Sequence, residues 1–340
     1  MRIAQLCSVA RKVSPESPHG IYNLTANLCN GLTSKKHEVT LFAAGDANVR
    51  SKLQSRVETN GADRGISEQE ISRENFATAA LCFGQREKFD VIHTHFSLMG
   101  CHFSSIVDTP TLHSIHTPIS KDLEPHLLRY KKERFISFSL AQRNQLPELN
   151  WVANIYHGID TNVYSFCDQP EDYVLYLGRI TQDKGVHHAI AAAKAAGVQL
   201  IIAGISYPNE GYWSSQIEPH IDGVNVRFLG PANLQQKIQL MQRAKALLFP
   251  TLAQETFGLV MIEAMSCGTP VIGFDAGAVR EVIQDKETGF VVQTEKQMAA
   301  AIKKIKNIDR RATRARVEAY FSVERMVSGY ERVYQRYVKK

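Results

Sequence analysis

From Ala246 to Phe274 the hydrophobic period of the sequence changes twice, and this restricts the folds open to the chain. Ala246–Phe249 is a short apolar run closed by Pro250, the pattern of a buried strand. A polar loop with Glu255 follows. From about Phe257 the period becomes helical, with Leu259, Ile262 and Met265 on one face. Gly268-Thr269-Pro270 stops that helix, and Val271–Phe274 is the next strand. The result is a strand–loop–helix–strand unit, the repeat of α/β folds. Glu255 stands just before the helix, and Glu263 lies about two turns in. The N–H groups of Phe257, Gly258 and Leu259 at the helix start favour an anion. Two acids flanking an anion cradle suit a ligand with hydroxyls at both ends and phosphate between them, the layout of a nucleotide sugar. A lone pair of glutamates at this spacing more often marks a solvated helix face, so the rest of the chain decides the matter.

The chain opens with a strand at Ile3–Cys7, a loop with Pro15, Pro18 and Gly20, a helix at Ile21–Leu32 and a strand at Val39–Ala43. This is the start of a doubly wound domain with the loop on the ligand side. Glu68–Lys88 has a helical pattern. Phe89–His95 and Thr111–His116 read as strands ending in histidines; alternation puts His93 and His95 on one face and His113 with neither neighbour. Four histidines so close raise the question of a metal, but no carboxylate or cysteine completes a ligand set in sequence. Phe135–Ser139 and Trp151–Ile155 close the first domain, and residues 161–172 read as a linker. Tyr173–Leu177 is the first strand of a second domain. Gly178, Arg179, Lys184 and Gly185 follow it in a turn leading into a helix at Val186–Ala196, a position suited to a diphosphate. A strand at Gln199–Ala203, a helix at Trp213–Ile221, a strand at Val224–Leu229 and a helix at Leu234–Ala244 return to the opening stretch. Helices over Lys296–Ile305 and Arg310–Tyr320, then one from an N-cap Ser322 to Tyr337, complete the pattern.

Glu255 and Glu263 with Phe257-Gly258-Leu259 between them, the following Ala-Met-x-Cys-Gly-Thr-Pro-Val-Ile, Gly277–Ile283 and Thr288–Val292 resemble the family-4 retaining glycosyltransferases of the GT-B fold. The turn from Gly178 to Gly185 matches that family's diphosphate loop, and the likeness spans nearly the whole chain. The resemblance implies two Rossmann-like domains with parallel sheets facing a cleft. They would cover residues 1–160 and 161–320, with a last helix over 321–340 crossing back to the first. It implies that Arg179 and Lys184 neutralise the leaving diphosphate, that Glu255 accepts from sugar hydroxyls and Glu263 from the ribose, and that His116 touches the sugar. Gly20 lets backbone approach the donor or acceptor. Gly178, Leu229, Gly230, Thr256, Phe257, Gly258 and Leu259 complete the nucleotide-sugar contacts. The family usually has Gly-Gly, often followed by x-Glu, where this chain has His19-Gly20-Ile21-Tyr22. It has Asn-Gly-Ile-Asp where this chain has His157-Gly158-Ile159-Asp160.

The implied activity is metal-independent, retaining transfer of a hexosyl group from a nucleoside-diphosphate sugar, UDP-sugar first, with no required cofactor. The acceptor is left open among saccharides, lipid-linked and small molecules. No Asp-x-Asp signature is present, and Arg179 and Lys184 can do the charge work of a metal. Competing readings are a non-catalytic or degenerate nucleotide-sugar binder and a nucleotide-sugar epimerase on the same fold. No Gly-x-Gly-x-x-Gly follows the first strand, which argues against a nicotinamide dehydrogenase. A net charge of +6 over 340 residues is too mild for a nucleic-acid binder. The basic stretch 121–134 is a solvated helix face, or a contact with an acidic acceptor or an anionic membrane surface. Six scattered cysteines without Cys-x-x-Cys, and a strand beginning at the first residues, lead to the expectation of a cytoplasmic protein, with peripheral membrane contact as an addition.

Overall fold

The computed structural model describes residues 1–208 and 211–338. The chain divides into two units: Met1–Gly158 together with the chain from Val323 onward, and Ile159–Ser322.

The first unit holds seven strands, all parallel: β1 Arg2–Leu6, β2 Glu38–Phe42, β3 Lys52–Gln54, β4 Val91–Thr94, β5 Thr111–Ser114, β6 Arg134–Ser137 and β7 Trp151–Asn154, in the order β3-β2-β1-β4-β5-β6-β7. β4 and, past their first residues, β1 and β2 are buried on both faces, as a parallel sheet covered by helices requires, with the polar Gln5, Thr40, His93 and Thr94 among their buried residues. One face packs on the helix Gly20–Ser34 and on the helix Val323–Tyr337, whose Met326, Tyr330, Val333 and Tyr334 form its buried stripe. The opposite face packs on the helix Glu68–Phe83 through Ala79, Cys82 and Phe83. That helix ends earlier than its pattern suggests. Gly84, a poor helix former, follows Phe83, and only a 3₁₀ turn remains at Arg86–Lys88.

The second unit holds six parallel strands: β8 Tyr173–Leu177, β9 Gln199–Ala203, β10 Val226–Phe228, β11 Ala246–Phe249, β12 Val271–Phe274 and β13 Gly289–Val292, ordered β10-β9-β8-β11-β12-β13. Its core runs from Val174 and Tyr176 through Leu200, Ile202, Leu248 and Ile272 to Met298 and Ile302. Two elements differ from expectation. The helix over Trp213–Ile221 is a π turn at Trp213–Ile217 followed by a 3₁₀ turn at Glu218–His220, because Pro219 has no N–H to continue a ladder. The strand over Val224–Leu229 shortens to Val226–Phe228, because the Asp222 carboxylate takes the N–H groups of Val224, Asn225 and Val226 at 2.7–2.9 Å. Both units are thus Rossmann-like parallel sheets, the domain type of the GT-B fold.

Candidate active site

In a doubly wound sheet the ligand crevice opens where strand order reverses, beyond the carboxyl ends of the strands there. In the second unit those strands are β8 and β11. The loop after β8 carries Gly178, Arg179 and Lys184; the loop after β11 carries Glu255, Thr256 and Phe257. The fold therefore joins residues 71 positions apart: the Lys184 ammonium pairs with the Glu255 carboxylate, their side chains 18% and 19% exposed. Backbone ties hold the two loops together. The Asp183 carbonyl accepts from Leu252 N–H at 2.8 Å and Ala253 N–H at 3.3 Å. The Tyr176 hydroxyl donates to the Arg179 carbonyl at 2.7 Å, while the Arg179 residue is exposed.

Gly185 follows Lys184 in the left-handed region, at φ 67°. A Cβ there would stand 2.2 Å from the Pro250 carbonyl oxygen. The two loops approach so closely that only glycine fits, and Lys184 is aimed by that contact. Gly185→Ala is expected to cost at least about 1–2 kcal/mol from backbone conformation alone. Equilibrium urea unfolding checks this; an unchanged midpoint would refute the tight approach.

The helix of the opening stretch starts at Leu259, not Phe257. Gly258 caps it in the left-handed region at φ 86°, and Met261 N–H bonds the Gly258 carbonyl at 3.0 Å. The free donors of its first turn therefore start at Leu259. Phe257 precedes the helix and is buried edge-on against Phe321, with centroids 5.6 Å apart; Thr256 is buried as well. Glu263 is gripped from two sides. The Tyr164 hydroxyl donates to Oε1 at 2.9 Å, and the Lys237 ammonium donates to Oε2 at 2.9 Å. Burial, reinforced by the Glu263 charge, drives the Tyr164 hydroxyl far above its ordinary pKa, so it remains a donor. Leu229 and Gly230 follow β10, where the Gly230 carbonyl accepts from Gly204 N–H at 2.8 Å.

In the first unit the order reverses between β1 and β4. The loop after β1 leads to Gly20, the first residue of a 15-residue helix whose N-cap, His19, provides no side-chain cap. Tyr22, at the position of the family's frequent glutamate, is buried in the core with its ring edge-on to His19. His116 lies just past β5, partly buried. Its ring is 4.6 Å from Phe138 and stacks parallel to His157 at 6.0 Å, so the second departure from the family pattern sits beside the candidate sugar contact. Burial, then repulsion from His95 and His157, holds the His116 pKa well below its ordinary value. His93 and His95 share a face, with rings 4.4 Å apart. His113 points to the other side, 3.6 Å from Cys101 Sγ and 3.5 Å from Glu133. That pairing was invisible in sequence, because Cys101 and Glu133 come from separate elements.

Tyr164 and Lys237 were missed by sequence reasoning. Tyr164 falls in the presumed linker, and Lys237 looks like one more solvated helix cation. Only the topology, which sets the helix Leu234–Arg243 beside Leu259–Ser266, could have pointed to Lys237.

Two family models divide the chain between them: "Glycosyltransferase Family 4" matches residues 18–163 and "Glycosyl transferases group 1" matches residues 165–320. A phosphatidyl-myo-inositol mannosyltransferase of Mycolicibacterium smegmatis is 29% identical, covering 89% of this chain and 84% of its own. A glycogen synthase of Mycobacterium tuberculosis is 27% identical over 73% of this chain and 61% of its own. Among solved structures, a glycosyltransferase of avilamycin A biosynthesis superposes with a TM-score of 0.74 at 21% identity, covering 99% of this chain and 98% of its own. Anabaena HepE in complex with UDP-glucose superposes at 0.71 with 19% identity, covering 99% of both chains.

Proposed function

Since this chain is a family-4, group 1 glycosyltransferase of GT-B fold, we propose that it moves a hexosyl group from a UDP-sugar to a hydroxyl acceptor. The transfer retains anomeric configuration and needs no metal. The observation that carries this reading is the Lys184–Glu255 pair at the switch point of the second sheet, with Arg179 in the same loop as Lys184 and Glu263 on the adjoining helix. In this reading the nucleotide lies along that helix, its ribose hydroxyls on Glu263 and its diphosphate on Arg179 and Lys184. Glu255 exchanges part of its pairing with Lys184 for sugar hydroxyls, and His116 contacts the sugar. The bond from the anomeric carbon to the phosphate oxygen breaks, and the diphosphate leaves with the electron pair. The acceptor oxygen attacks from the same face and passes its proton to the departing phosphate. The UDP-glucose complex of the HepE fold neighbour supports the choice of base. Six unpaired thiols support a reducing, cytoplasmic setting. Exposed Lys121, Arg129, Lys131 and Lys132 support peripheral contact with anionic lipid. Among the described residues no helix is long and apolar enough to cross a membrane.

The test is a thermal-shift screen of UDP-, GDP- and ADP-sugars, followed by anomeric NMR of the product formed with EDTA present. Stabilisation by a UDP-sugar and an axial or equatorial linkage matching the donor are expected. Stabilisation by another nucleotide alone, an inverted product, or activity lost in EDTA and restored by magnesium would each overturn its part of the proposal.

A further inference from the structure

We propose that the helix Val323–Tyr337 sets the tautomer of His116 through a buried relay of Tyr334, Gln5 and His95. These three are positioning residues, and the inference rests on the reading that His116 contacts the sugar.

The relay lies wholly within the first unit. β1 and β4 pair in a register that sets Gln5 beside His93. Side-chain alternation then puts Gln5, His93 and His95 on the sheet face covered by that helix, with Ser114 and His116 joining from the next strand. Gln5, His93, Ser114 and Tyr334 are fully buried, so each polar atom must find its partner here. The links are continuous. His116 Nε2 lies 2.9 Å from His95 Nδ1, and His95 Nε2 lies 2.9 Å from Gln5 Oε1. Gln5 Nε2 donates to the Tyr334 hydroxyl at 3.0 Å; Tyr334 lies 2.7 Å from His93 Nδ1, and His93 Nε2 lies 2.8 Å from Ser114 Oγ.

With the Gln5 amide oxygen toward His95, as the structure has it, counting protons along this chain gives its direction. An amide oxygen only accepts, so His95 Nε2 donates to Gln5. Burial drives the His95 pKa down to about 3, so the ring is neutral and has one N–H. Its Nδ1 therefore accepts, and His116 donates through Nε2. That leaves the lone pair of His116 on Nδ1. At the other end the Tyr334 hydroxyl accepts from Gln5 and spends its proton on His93 Nδ1, and His93 donates to Ser114. Turning the Gln5 amide over would reverse every link and put the proton on His116 Nδ1, so the Gln5 orientation selects what His116 offers a ligand. An Nδ1 lone pair accepts from a hydroxyl; an Nδ1–H would need an acceptor. The relay thus selects a ligand group that donates, as a sugar hydroxyl can.

Long-range ¹H–¹⁵N correlation spectra of histidine-labelled protein read the tautomers directly. In the wild type His116 is expected as the Nε2–H form. In Tyr334→Phe and in Gln5→Met, each verified as folded by near-ultraviolet circular dichroism, it is expected as a mixture of both forms, with kcat/KM for the donor down about ten-fold. An Nδ1–H form in the wild type, or an unchanged Nε2–H form in whichever variant folds, overturns the relay. The reading beneath it is tested separately by His116→Ala: full turnover in that variant would remove the sugar contact, while the spectra still decide the relay.

Discussion

Lys184→Ala and Arg179→Ala are each expected to lower turnover by about 10²–10³, roughly 3–4 kcal/mol of transition-state stabilisation, while the fold stays intact. Breaking the sugar–phosphate bond leaves negative charge on the diphosphate. Cations held in place before that charge develops need no reorganisation when it appears. The geometry argues for such preorganisation. Lys184 is pinned between Gly185, which only a glycine backbone allows, and the Glu255 carboxylate. Removing the ammonium also leaves Glu255 without Lys184, and under the proposed function this adds repulsion from the incoming phosphates to the lost attraction. Lys184→Arg restores little, because a planar fork replaces a compact ammonium in a space shaped by two backbone loops. Single-turnover rates with EDTA throughout, alongside wild type, make the measurement. Alanine variants with near-wild-type rates would exclude the leaving-group role.

Glu263→Gln and Glu255→Gln are expected to fail in different ways. Glu263 is oriented by Tyr164 and Lys237 before any ligand arrives, so under the proposed function its hydrogen bonds to ribose hydroxyls would exist in ground and transition states alike. Uniform binding of that kind sets affinity, not turnover. A charge-assisted hydrogen bond is worth about 1.5–3 kcal/mol, so UDP affinity should fall roughly 10–100-fold in Glu263→Gln with kcat little changed. Glu255→Gln should leave UDP affinity near wild type and lower kcat instead, because its partner is Lys184 and, under the proposed function, the reacting sugar. Calorimetric titration of UDP against both variants, paired with kcat, decides it. Equal losses of affinity would end the division of labour.

What the sequence made legible were features encoded over short spans. The apolar run Ala246–Phe249, the helical period after Phe257 and the alternation that faces His93 with His95 each lie within one element. The loops at the carboxyl ends of the central strands were legible too, because Pro, Gly and polar residues gather after β1, β8 and β11. The misplacements have local causes that periodicity does not see: the left-handed Gly258, the missing N–H of Pro219 and the capture of three N–H groups by Asp222. The partners of the site were illegible for another reason. Tyr164 and Glu263 are 99 positions apart, and Gln5 and Tyr334 are 329 apart. No local pattern marks one member of such a pair, and the motif around Glu263 names the carboxylate but not what orients it.

The first unit is discontinuous: its sheet is built from residues up to 158, and its last covering helix begins at Val323, after the whole second unit. On the ribosome this inverts the order of synthesis and completion. The segment translated first waits with the face that Met326, Tyr330 and Tyr334 will cover still exposed, while the unit made after it has every strand it needs to fold. The buried amide of Gln5 gains its tyrosine partner only after the whole second unit has been synthesised. A nascent chain stalled short of that helix therefore presents a half-covered sheet, the kind of exposed apolar surface that makes incompletely folded species prone to aggregate.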